Sequence, residues 1–210
     1  LTGGTGTSGH ALTRLLLPQG QRVVIFSRDE FKQLAMRRRF GDDPNLFFVL
    51  GDVRDRGRLV GATRGADLIV HAAALKQIPQ AEADPIETVL TNVTGTANVV
   101  HAALVNHTPT LLFISSDKCV RPTTVYGAAK LLGERLAISA ASLLTGRVGS
   151  VRYGNVLGSR GSVLWLWREA ERAGQALNIT DPDTTRFWHT PDQAAMLVER
   201  CRQMLERGEA

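Results

Sequence analysis

Thr2-Gly3-Gly4-Thr5-Gly6-Thr7-Ser8-Gly9 is the segment that constrains the fold of this 210-residue chain most strongly. Gly3, Gly6 and Gly9 have the spacing of a turn that binds phosphate groups, because a side chain there would block the turn, the approach of the phosphates or the packing of the next helix. An ordinary glycine-rich loop is the alternative. Such a turn normally follows a central strand, but only Leu1 precedes it. We therefore expect the chain to be a fragment of a longer protein that contains the first strand.

Short apolar runs and amphipathic segments alternate along the rest of the chain. The apolar runs are bounded by turn-forming residues and predict strands over 23–26, 47–50, 68–70, 111–114 and 150–151. The amphipathic segments predict helices over 9–17, 30–39, 56–63, 86–106, 125–144, 162–173 and 191–206. This alternation predicts an α/β fold, with a doubly wound parallel sheet and helices on both of its faces.

The composition is that of an ordinary soluble globular protein, with 43% hydrophobic and 21% charged residues. The net charge of +5 comes from scattered basic residues without a nucleic-acid motif, so we expect anionic small molecules and no nucleic acid as partners. Arg37, Arg38 and Arg39 are interpreted as a solvated helix end. Neither a long apolar run nor a signal segment is present, which predicts no membrane attachment. Cys119 and Cys201 lie far apart, which favours a reducing cytoplasm, and Cys119 is interpreted as a small hydrophobic residue.

Two neighbouring stretches bring together an acid, two amines and a phenol: Ser115-Ser116-Asp117-Lys118 and Tyr126-Gly127-Ala128-Ala129-Lys130. The first follows a predicted buried strand and should lie at the carboxyl edge of the sheet, where such folds bind ligands. Tyr126 and Lys130 share a helix face, and a nearby ammonium would lower the pKa of the tyrosine from about 10 towards neutrality. A buried tyrosine with a solvated lysine is the alternative. The candidate catalytic residues are Ser116, Asp117, Lys118, Tyr126 and Lys130.

Residues at the ends of the next strands indicate the cofactor. Ser27 and Arg28 stand where an NAD-preferring site would hold a carboxylate. The Arg28 guanidinium could instead donate two hydrogen bonds to a 2′-phosphate, which favours NADP. Asp29, the next residue, is a carboxylate, so NAD stays an alternative cofactor. Asp52 is placed to contact the adenine side of the cofactor, and the alternative is that it caps the next helix. His71 is interpreted as a histidine at the end of a strand whose ring nitrogens are hydrogen-bonded. The predicted cofactor-binding residues are Gly3, Thr5, Gly6, Thr7, Ser8, Gly9, Ser27, Arg28, Lys32, Asp52, Val53, Ala72, Ala73, Lys76, Tyr126 and Lys130.

Two later segments suit an anionic substrate. The glycine-rich loop Tyr153-Gly154-Asn155 and Gly158-Ser159-Arg160-Gly161-Ser162 carries an amide and a guanidinium that could bind a sugar diphosphate, and Thr184-Thr185-Arg186-Phe187-Trp188 adds a second arginine. Plain surface loops are the alternative. Asn92 either bridges backbone and water near the site or is solvated on its helix, and Trp165 and Trp167 are interpreted as core or interface residues. The predicted substrate-binding residues are Lys76, Asn155, Arg160 and Arg186, and no metal site is predicted.

Together, the motifs TGGTGTSG, FSRDE, GDVRD, HAAALK, SSDK, YGAAK, RYGNVLGSRGSV and TDPDTTRFW resemble the extended short-chain dehydrogenase/reductase family. Within it, they are most similar to the soluble, inverting UDP-N-acetylglucosamine 4,6-dehydratases that begin pseudaminic acid synthesis. The resemblance implies an NADP-binding Rossmann domain over residues 1–152 without its first strand, and a partial, incomplete substrate-binding region over 153–210. It also implies a UDP-sugar substrate and a homo-oligomer in the cytoplasm.

The same resemblance implies roles for the catalytic candidates. Tyr126 and Lys130 would take part in hydride transfer from the sugar 4-position to a tightly bound, recycled NADP. Lys118 would then remove the 5-proton while Asp117 protonates the departing 6-hydroxyl. A neutral Lys118 is expected from burial beside another cation, and a protonated Asp117 from burial in a carboxylate-poor cleft. Lys118 replaces the glutamate of the better-known glucose-type dehydratases, which points to the inverting branch.

Three other functions stay open at the level of sequence. A UDP-sugar 4-epimerase would use Tyr126, Lys130 and the same cofactor, but it needs no Asp-Lys acid/base pair. A regulator that senses the cofactor needs neither Tyr126 nor Lys130, so their presence argues against it. An inactive truncated homologue would have inherited every motif.

Overall fold

The computed structural model describes residues 1–177, 179 and 181–209, and strands and helices alternate along them. The strands are β1 (Val23–Ser27), β2 (Leu46–Leu50), β3 (Leu68–His71), β4 (Thr110–Ile114), β5 (Arg147–Val151), β6 (Asn155–Val156) and β7 (Trp188–His189). The α-helices are α1 (Thr7–Leu16), α2 (Glu30–Phe40), α3 (Arg56–Ala62), α4 (Ile78–Ala83), α5 (Pro85–Val89), α6 (Gly95–Val105), α7 (Val125–Ser139), α8 (Val163–Arg172) and α9 (Pro191–Arg207).

The main sheet is parallel, and the residues before the glycine turn join its two parts. β1 pairs with β2, and β4 lies between β3 and β5. Thr2 forms bridges to Phe26 of β1 and His71 of β3, so the order across the sheet is β2, β1, Thr2, β3, β4, β5. The predicted doubly wound α/β fold is therefore confirmed. The glycine turn leaves the middle of the sheet at the carboxyl ends of the strands, where this class of fold binds ligands.

Both faces of the central strands are buried, as expected for a parallel sheet covered by helices. Because successive side chains point to opposite faces, Leu111 packs with residues of α3 and α6, while Leu112 packs with residues of α1 and α9. Full burial of a side chain of this size contributes about 1.5–3 kcal/mol. The α9 helix therefore covers the sheet, although it lies beyond the predicted boundary at 152, and that boundary stays a prediction.

Local signals set most helix ends. The carboxylates of Asp29 and Asp55 accept hydrogen bonds from the third backbone N–H of α2 and α3, and Thr124 does the same for α7. Thr190 and Gln193 form a capping box at the start of α9. Arg37, Arg38 and Arg39 occupy the last turn of α2, which confirms the prediction of a basic helix end.

The helix predicted over 86–106 is interrupted, and three short elements were not predicted. A π-helical turn over Leu90–Thr94 separates α5 from α6. The α4 helix has six residues, and β6 and β7 have two residues each, so they are too short for hydrophobic periodicity to reveal. The α8 helix has no buried residue, and Trp165 is 44% exposed, so a core role for Trp165 is wrong. No helix in the described part of the chain is long and apolar enough to cross a membrane.

Candidate active site

The glycine turn packs directly on the loop that follows β3. Gly3 has φ of +65°, and a Cβ atom on it would lie 2.7 Å from the Cα atom of Ala73. Only glycine combines this left-handed conformation with such a close approach. The turn and the predicted pair Ala72 and Ala73 therefore form one surface.

The first turn of α1 lies over the same surface. A Cβ atom on Gly9 would lie 2.1 Å from the Gly4 carbonyl oxygen, so the helix start is folded tightly against the turn. Gly6 is the N-cap, and because glycine has no side chain, no side-chain hydrogen bond caps the start of this helix. Thr7 and Ser8 thus begin a helix whose first backbone N–H groups are available to an anion.

A buried chain of hydrogen bonds supports the turn from below. The Thr96 hydroxyl donates to the Asn92 carbonyl at 2.7 Å, so its oxygen accepts the proton on His71 Nε2, 3.0 Å away. His71 Nδ1 then accepts from the Thr2 hydroxyl at 2.6 Å. Burial, followed by the charge of Lys130, lowers the pKa of His71 to about 3. The interpretation of His71 as a hydrogen-bonded strand end is confirmed.

The Asn92 side chain holds the backbone of the loop beside the turn. Its carboxamide accepts from the Leu75 N–H and donates to the Leu75 carbonyl, with both distances 2.8 Å. Asn92 is buried, so the alternative of a solvated helix-face residue is wrong. Asn92 lies in the π-helical turn, and its one side chain satisfies both polar groups of Leu75.

The predicted adenosine side is a cluster of paired charges. Arg28 lies 3.7 Å from Asp52, whose carboxylate also binds Arg54 at 2.8 Å, and Lys32 lies 2.5 Å from Asp29. Burial opposes the hydrogen bonds from Arg54, but these prevail and hold the pKa of Asp52 below its ordinary value. Ser27 accepts a hydrogen bond from Gln33, and Val53 is buried beneath the cluster.

The helix N-cap that was the alternative for Asp52 is wrong. Asp55 caps α3, because its carboxylate accepts from the Arg58 N–H at 2.9 Å. Asp52 lies four residues before the start of α3, and its carboxylate accepts from the Arg54 N–H instead. Asp52 is therefore available at the edge of the sheet beside Arg28.

The acid/base turn follows β4. Asp117, Lys118 and Cys119 form one turn of 3₁₀-helix, and the Ser116 hydroxyl donates to Asp117 Oδ1 at 3.0 Å. Lys118 Nζ donates to the same carboxylate oxygen at 3.0 Å and to Asn155 Oδ1 at 2.9 Å. The structure therefore brings together four residues that the sequence placed in the catalytic and substrate sets.

The surroundings of Lys118 differ from the expectation. Its side chain is 30% exposed and is paired with Asp117, which is 29% exposed, so deep burial of the two groups is wrong. Lys76, one of the predicted cofactor- and substrate-binding residues, is solvent-exposed, but it lies near other cations. Desolvation, then the charges of Arg160 and Lys118, lower the pKa of Lys76.

Tyr126 and Lys130 lie on one face of α7, as predicted, but their electrostatic relation is not the one expected. Burial raises the pKa of Tyr126 to about 12, although a hydrogen bond with Ser116 opposes the rise. Lys130 Nζ donates to the Ile114 carbonyl and lies 4.3 Å from the centre of the Phe113 ring. The ammonium is thus directed at β4, and the expected lowering of the Tyr126 pKa is wrong.

A buried charge network next to Lys130 was missed by the sequence analysis. Glu134 accepts from Arg152 Nε at 2.9 Å and from the Cys119 thiol at 3.6 Å. Hydrogen bonding by Arg152 lowers the pKa of Glu134 to about 2. Glu134 follows Lys130 by four residues on the same helix face, and this spacing was the available signal. Cys119 is buried, which confirms its interpretation as a small hydrophobic residue.

An open cleft of about 530 Å³ lies beside the acid/base turn. Arg186, one of the predicted substrate-binding residues, lies in its wall together with the Asp117–Lys118 pair. The described lining residues are Ile78, Asp117, Lys118, Val120, Arg121, Thr123, Thr124, Thr185, Arg186 and Phe187. Thr180, which begins the segment containing Arg186, lies outside the described residues.

The remaining substrate candidates lie near the cleft but not in its wall. Arg160 is exposed, and the loop that carries it is held by a hydrogen bond of 3.3 Å from Gln77 to the Gly161 carbonyl. Tyr153 bonds instead to Ser8 of the glycine turn, with 2.8 Å between the hydroxyl oxygens. This unpredicted contact links the turn to the segment that carries Asn155. Among the described residues, no group of three or more His, Cys, Asp or Glu could hold a metal ion.

Comparison with known proteins identifies similar sequences. Residues 1–210 match the family described as polysaccharide biosynthesis protein. The chain is 38% identical over 215 residues to a UDP-N-acetylglucosamine 4,6-dehydratase (inverting) of Campylobacter jejuni, covering 100% of this chain and 64% of the relative. It is 42% identical over 195 residues to a UDP-glucose 4-epimerase of Rickettsia rickettsii, covering 89% of this chain and 57% of the relative.

Solved structures share the fold. The protein Pen from Bacillus thuringiensis matches with a TM-score of 0.92 at 37% identity, over 96% of this chain and 63% of that one. DesIV, a dTDP-glucose 4,6-dehydratase from Streptomyces venezuelae with NAD and TYD bound, matches with a TM-score of 0.84 at 24% identity, over 100% of this chain and 71% of that one. The similarity to DesIV, at 24% identity, shows a shared fold and nothing more. The chain spans 64% of the length of the Campylobacter relative and 57% of the Rickettsia one.

Proposed function

This chain belongs to the polysaccharide biosynthesis protein family, and on that premise we propose that it carries the cofactor site and acid/base residues of a UDP-N-acetylglucosamine 4,6-dehydratase. The observation that carries the proposal is the contact between Asp117 and Lys118 in the wall of a cleft of about 530 Å³. Dehydration needs an acid for the departing hydroxyl and a base for the neighbouring proton. The 38% identity to an inverting dehydratase supports the same assignment.

The residues at the glycine turn fit a nicotinamide dinucleotide. A side chain at Gly3 or Gly9 would fill the surface on which its phosphates would lie, and the start of α1 offers free backbone N–H groups. Bound there, such a cofactor would supply reversible hydride acceptance, which the oxidation at the sugar 4-position and the reduction at the 6-position require. Tyr126 is the proposed acceptor of the 4-hydroxyl proton, and this role needs the bound cofactor or substrate to offset the burial that raises the pKa of the phenol to about 12.

The ion pair of Asp117 and Lys118 is one proton transfer away from an active acid and base. Moving a proton from Lys118 Nζ to Asp117 Oδ1, across 3.0 Å, gives a neutral amine and a neutral carboxylic acid. Lys118 can then remove the 5-proton and Asp117 can protonate the 6-hydroxyl that departs.

Deuterium labelling tests this function. UDP-N-acetylglucosamine is incubated with the protein and NADP in deuterated water, and the product mass is measured. Loss of one water with gain of deuterium is the expected result, since the 5-proton exchanges through Lys118. An unchanged mass with the same protein, shown to bind UDP, would reject the dehydratase.

A 4-epimerase is the second candidate, because the chain is 42% identical to a UDP-glucose 4-epimerase. An epimerase would convert the UDP-sugar to its 4-epimer without any change of mass. Chromatographic separation of the two epimers in the same reaction distinguishes it from the dehydratase. Epimer formation that is insensitive to replacement of Lys118 would favour this alternative.

NADP is the proposed cofactor. Arg28 lies at the edge of β1 with Asp52 as a weak partner at 3.7 Å, so its guanidinium can turn towards a 2′-phosphate. A charge-assisted hydrogen bond contributes about 1.5–3 kcal/mol, so NADP should bind at least about tenfold more tightly than NAD. Titration of the protein with each dinucleotide measures the ratio, and equal affinities would contradict the proposal.

The wider proposal is a cytoplasmic homo-oligomer that supplies a pathway such as pseudaminic acid synthesis. It rests on the resemblance of the motifs to the inverting dehydratases and on the 38% identity to one of them. Light scattering on the purified protein tests the oligomer. A monomer at micromolar concentration would contradict that part of the proposal alone.

A further inference from the structure

Tyr153 contacts two parts of the site that are far apart in sequence. Its hydroxyl oxygen lies 2.8 Å from the hydroxyl oxygen of Ser8, the second residue of α1. Its backbone carbonyl accepts a hydrogen bond from the Asp117 N–H, with 3.2 Å between the nitrogen and the oxygen. One residue therefore connects the helix start beside the glycine turn with the turn that carries the acid and the base.

The contact between Tyr153 and Asp117 continues the main sheet beyond the ends of its strands. β4 and β5 pair in parallel as far as Ile114 and Val151. The Ser115 N–H then donates to the Val151 carbonyl at 2.8 Å, and the Asp117 N–H donates to the Tyr153 carbonyl two residues further along each chain. Alternate residues donate in this way in a parallel ladder. The backbone of Tyr153 is therefore placed by the sheet.

The side chain of Tyr153 is held by packing as well as by the bond to Ser8. It packs against a core cluster that includes Ala11 and Leu12 of α1. Burial raises the pKa of its phenol, although the bond with Ser8 opposes the rise, so the group is a neutral hydroxyl at physiological pH. Two neutral hydroxyls can exchange donor and acceptor roles, and removing such a bond has a modest effect on overall stability.

The segment that begins at Tyr153 also holds the base. Asn155 Oδ1 accepts from Lys118 Nζ at 2.9 Å. The segment thus holds Asp117 by its backbone and Lys118 by its ammonium. A shift of this segment relative to α1 would move both groups together, and a misplacement of about 1 Å can cost about a hundredfold in rate.

We propose that Tyr153 is a positioning residue that fixes the acid/base turn relative to the surface on which the dinucleotide would lie. Ser8 belongs to the first turn of α1, whose backbone N–H groups are available to that ligand. The inference rests on the proposed function, because a fixed separation matters only where the dinucleotide and the Asp117–Lys118 pair act on one sugar. Tyr153 acts through its two contacts and takes no proton itself.

Hydrogen–deuterium exchange of the protein tests the link without turnover, read at the peptide that contains the Asp117 N–H. Tyr153→Phe removes only the hydroxyl, and Ser8→Ala removes the same bond from the other side. Each should speed exchange at Asp117 about three- to tenfold, the effect of one neutral hydrogen bond. The double variant should exchange no faster than either single one, because both changes remove one interaction.

Thr63→Val is the matched control. It removes a buried hydroxyl at the end of α3 that donates to the Leu59 carbonyl and accepts from Asn106. It should lower the free energy of unfolding in urea and leave exchange at Asp117 unchanged. An equal rise in exchange for Thr63→Val would assign the effect to general destabilisation and overturn the proposal. Unchanged exchange in Tyr153→Phe, or factors that multiply in the double variant, would overturn it as well.

Turnover separates this proposal from the proposed function. With UDP-N-acetylglucosamine and NADP, Tyr153→Phe should lower kcat for water loss about three- to tenfold and leave KM and dinucleotide affinity unchanged. A merely unstable variant would instead lose binding sites. Faster exchange at Asp117 with an undiminished kcat would reject the positioning role. Absence of water loss in wild type would reject the dehydratase, and the exchange measurement would still decide whether Tyr153 holds the turn.

Discussion

Lys118 has contacts that an incidental surface lysine would not need. Its ammonium is held between the Asp117 carboxylate and the Asn155 amide, at 3.0 and 2.9 Å. Asn155 belongs to β6, so the lysine has a fixed position relative to both segments. A base must be positioned before its protonation state matters, and this arrangement supplies the position.

Replacing Lys118 by Met should stop the loss of water and spare the binding of nucleotide. General-base catalysis is typically worth about 10²- to 10⁴-fold, so product formation should fall by that factor. Single-turnover mass spectrometry measures the loss. Asn155→Ala, which removes a hydrogen-bond partner but keeps the base, serves as the control and should lose less. Undiminished dehydration by Lys118→Met would refute the role of Lys118.

Lys130 is a buried cation whose charge opposes folding at neutral pH. Burial lowers its pKa to about 8 from an ordinary value of 10.5, against the raising effects of Cys119 and Glu134. Between these two pH values the unfolded chain binds more protons than the folded one, so the free energy of unfolding rises with pH. Above pH 10 the effect of Tyr126 has the opposite sign, since its folded pKa is about 12.

The Lys130→Met variant should therefore lose the gain in stability between pH 8 and 10. The wild-type slope should reach up to about 1.4 kcal/mol per pH unit, and the slope of the variant should be clearly smaller. Urea unfolding at several pH values provides the measurement. Phe113→Leu, which disturbs the same site but keeps the lysine, should retain the slope. Equal slopes in wild type and Lys130→Met would show that Lys130 does not titrate in this window.

The sequence was enough to select these residues as catalytic candidates, but it did not predict which groups their side chains contact. Asp117, Lys118, Tyr126 and Lys130 follow from residue type and spacing, because an acid, two amines and a phenol in one short stretch serve chemistry more readily than structure. The direction of the Lys130 ammonium depends on the carbonyl of Ile114 and the ring of Phe113. Those contacts come from tertiary packing, which no local pattern encodes.

At the level of elements, the glycine turn and α1 form the most sharply defined part of the site. The turn leaves the sheet, Gly3 lies on Ala73, and Gly9 lies on the Gly4 carbonyl. Ser8 then bonds to Tyr153, so the start of α1 also holds the segment that leads into β6. A change at Gly9 should thus disturb cofactor binding and the loop together.

Gly9→Ala should destabilise the protein and weaken dinucleotide binding, because the new Cβ would lie 2.1 Å from backbone that cannot move freely. Inserting an extra methyl group into a packed site costs about 1–3 kcal/mol. Gly61→Ala is the matched control. It lies in α3 with nothing within 4 Å of its Cβ, and it should stabilise by about 0.5–1 kcal/mol. Urea unfolding and dinucleotide titration measure the two effects, and equal behaviour of the variants would contradict this account of the turn.

The longer elements were predictable from pattern, and the short ones were not. The strands β1 to β5 were found within three residues at each end, because buried parallel strands are continuous apolar runs. The π-helical turn at Leu90–Thr94 has no sequence pattern of its own, and the hydrogen bonds from Asn92 within it to Leu75 are tertiary contacts. β6 and β7 pair two residues each, a contact set by tertiary structure.

For the whole molecule, the stability of the sheet depends on the seam where Thr2 joins β1 to β3. The Thr2 N–H donates to the Val70 carbonyl at 3.0 Å, and the Gly3 N–H donates to the Phe26 carbonyl at 2.9 Å. The predicted doubly wound fold places the residues that precede the glycine turn in the middle of the sheet, between β1 and β3. The sequence did not predict that the buried His71 holds the seam through Thr2 on one side and Thr96 on the other.

A neutral histidine at this seam should make the protein sensitive to acid. The pKa of His71 is lowered to about 3, chiefly by burial, from an ordinary value of 6.5. Between these values the unfolded chain binds the proton and the folded chain does not, so stability is full above pH 6.5 and falls as the pH drops. If His71 were protonated, its Nδ1 would carry a proton and could no longer accept the hydrogen bond from the Thr2 hydroxyl. That loss would break the link between the two parts of the sheet.

Replacing His71 by Gln separates this effect from the simple loss of hydrogen bonds. The window from pH 6.5 to 4.5 is informative, because Glu134, whose ordinary pKa is 4.5, begins to contribute only below it. Wild type should lose up to about 1.4 kcal/mol per pH unit there through His71, and His71→Gln should lose less although it is less stable at pH 7. Thr96→Val, which lowers stability but keeps the histidine, should retain the wild-type slope. Urea unfolding across the window provides the measurement, and parallel curves for wild type and His71→Gln would show that acid acts on the sheet through other groups.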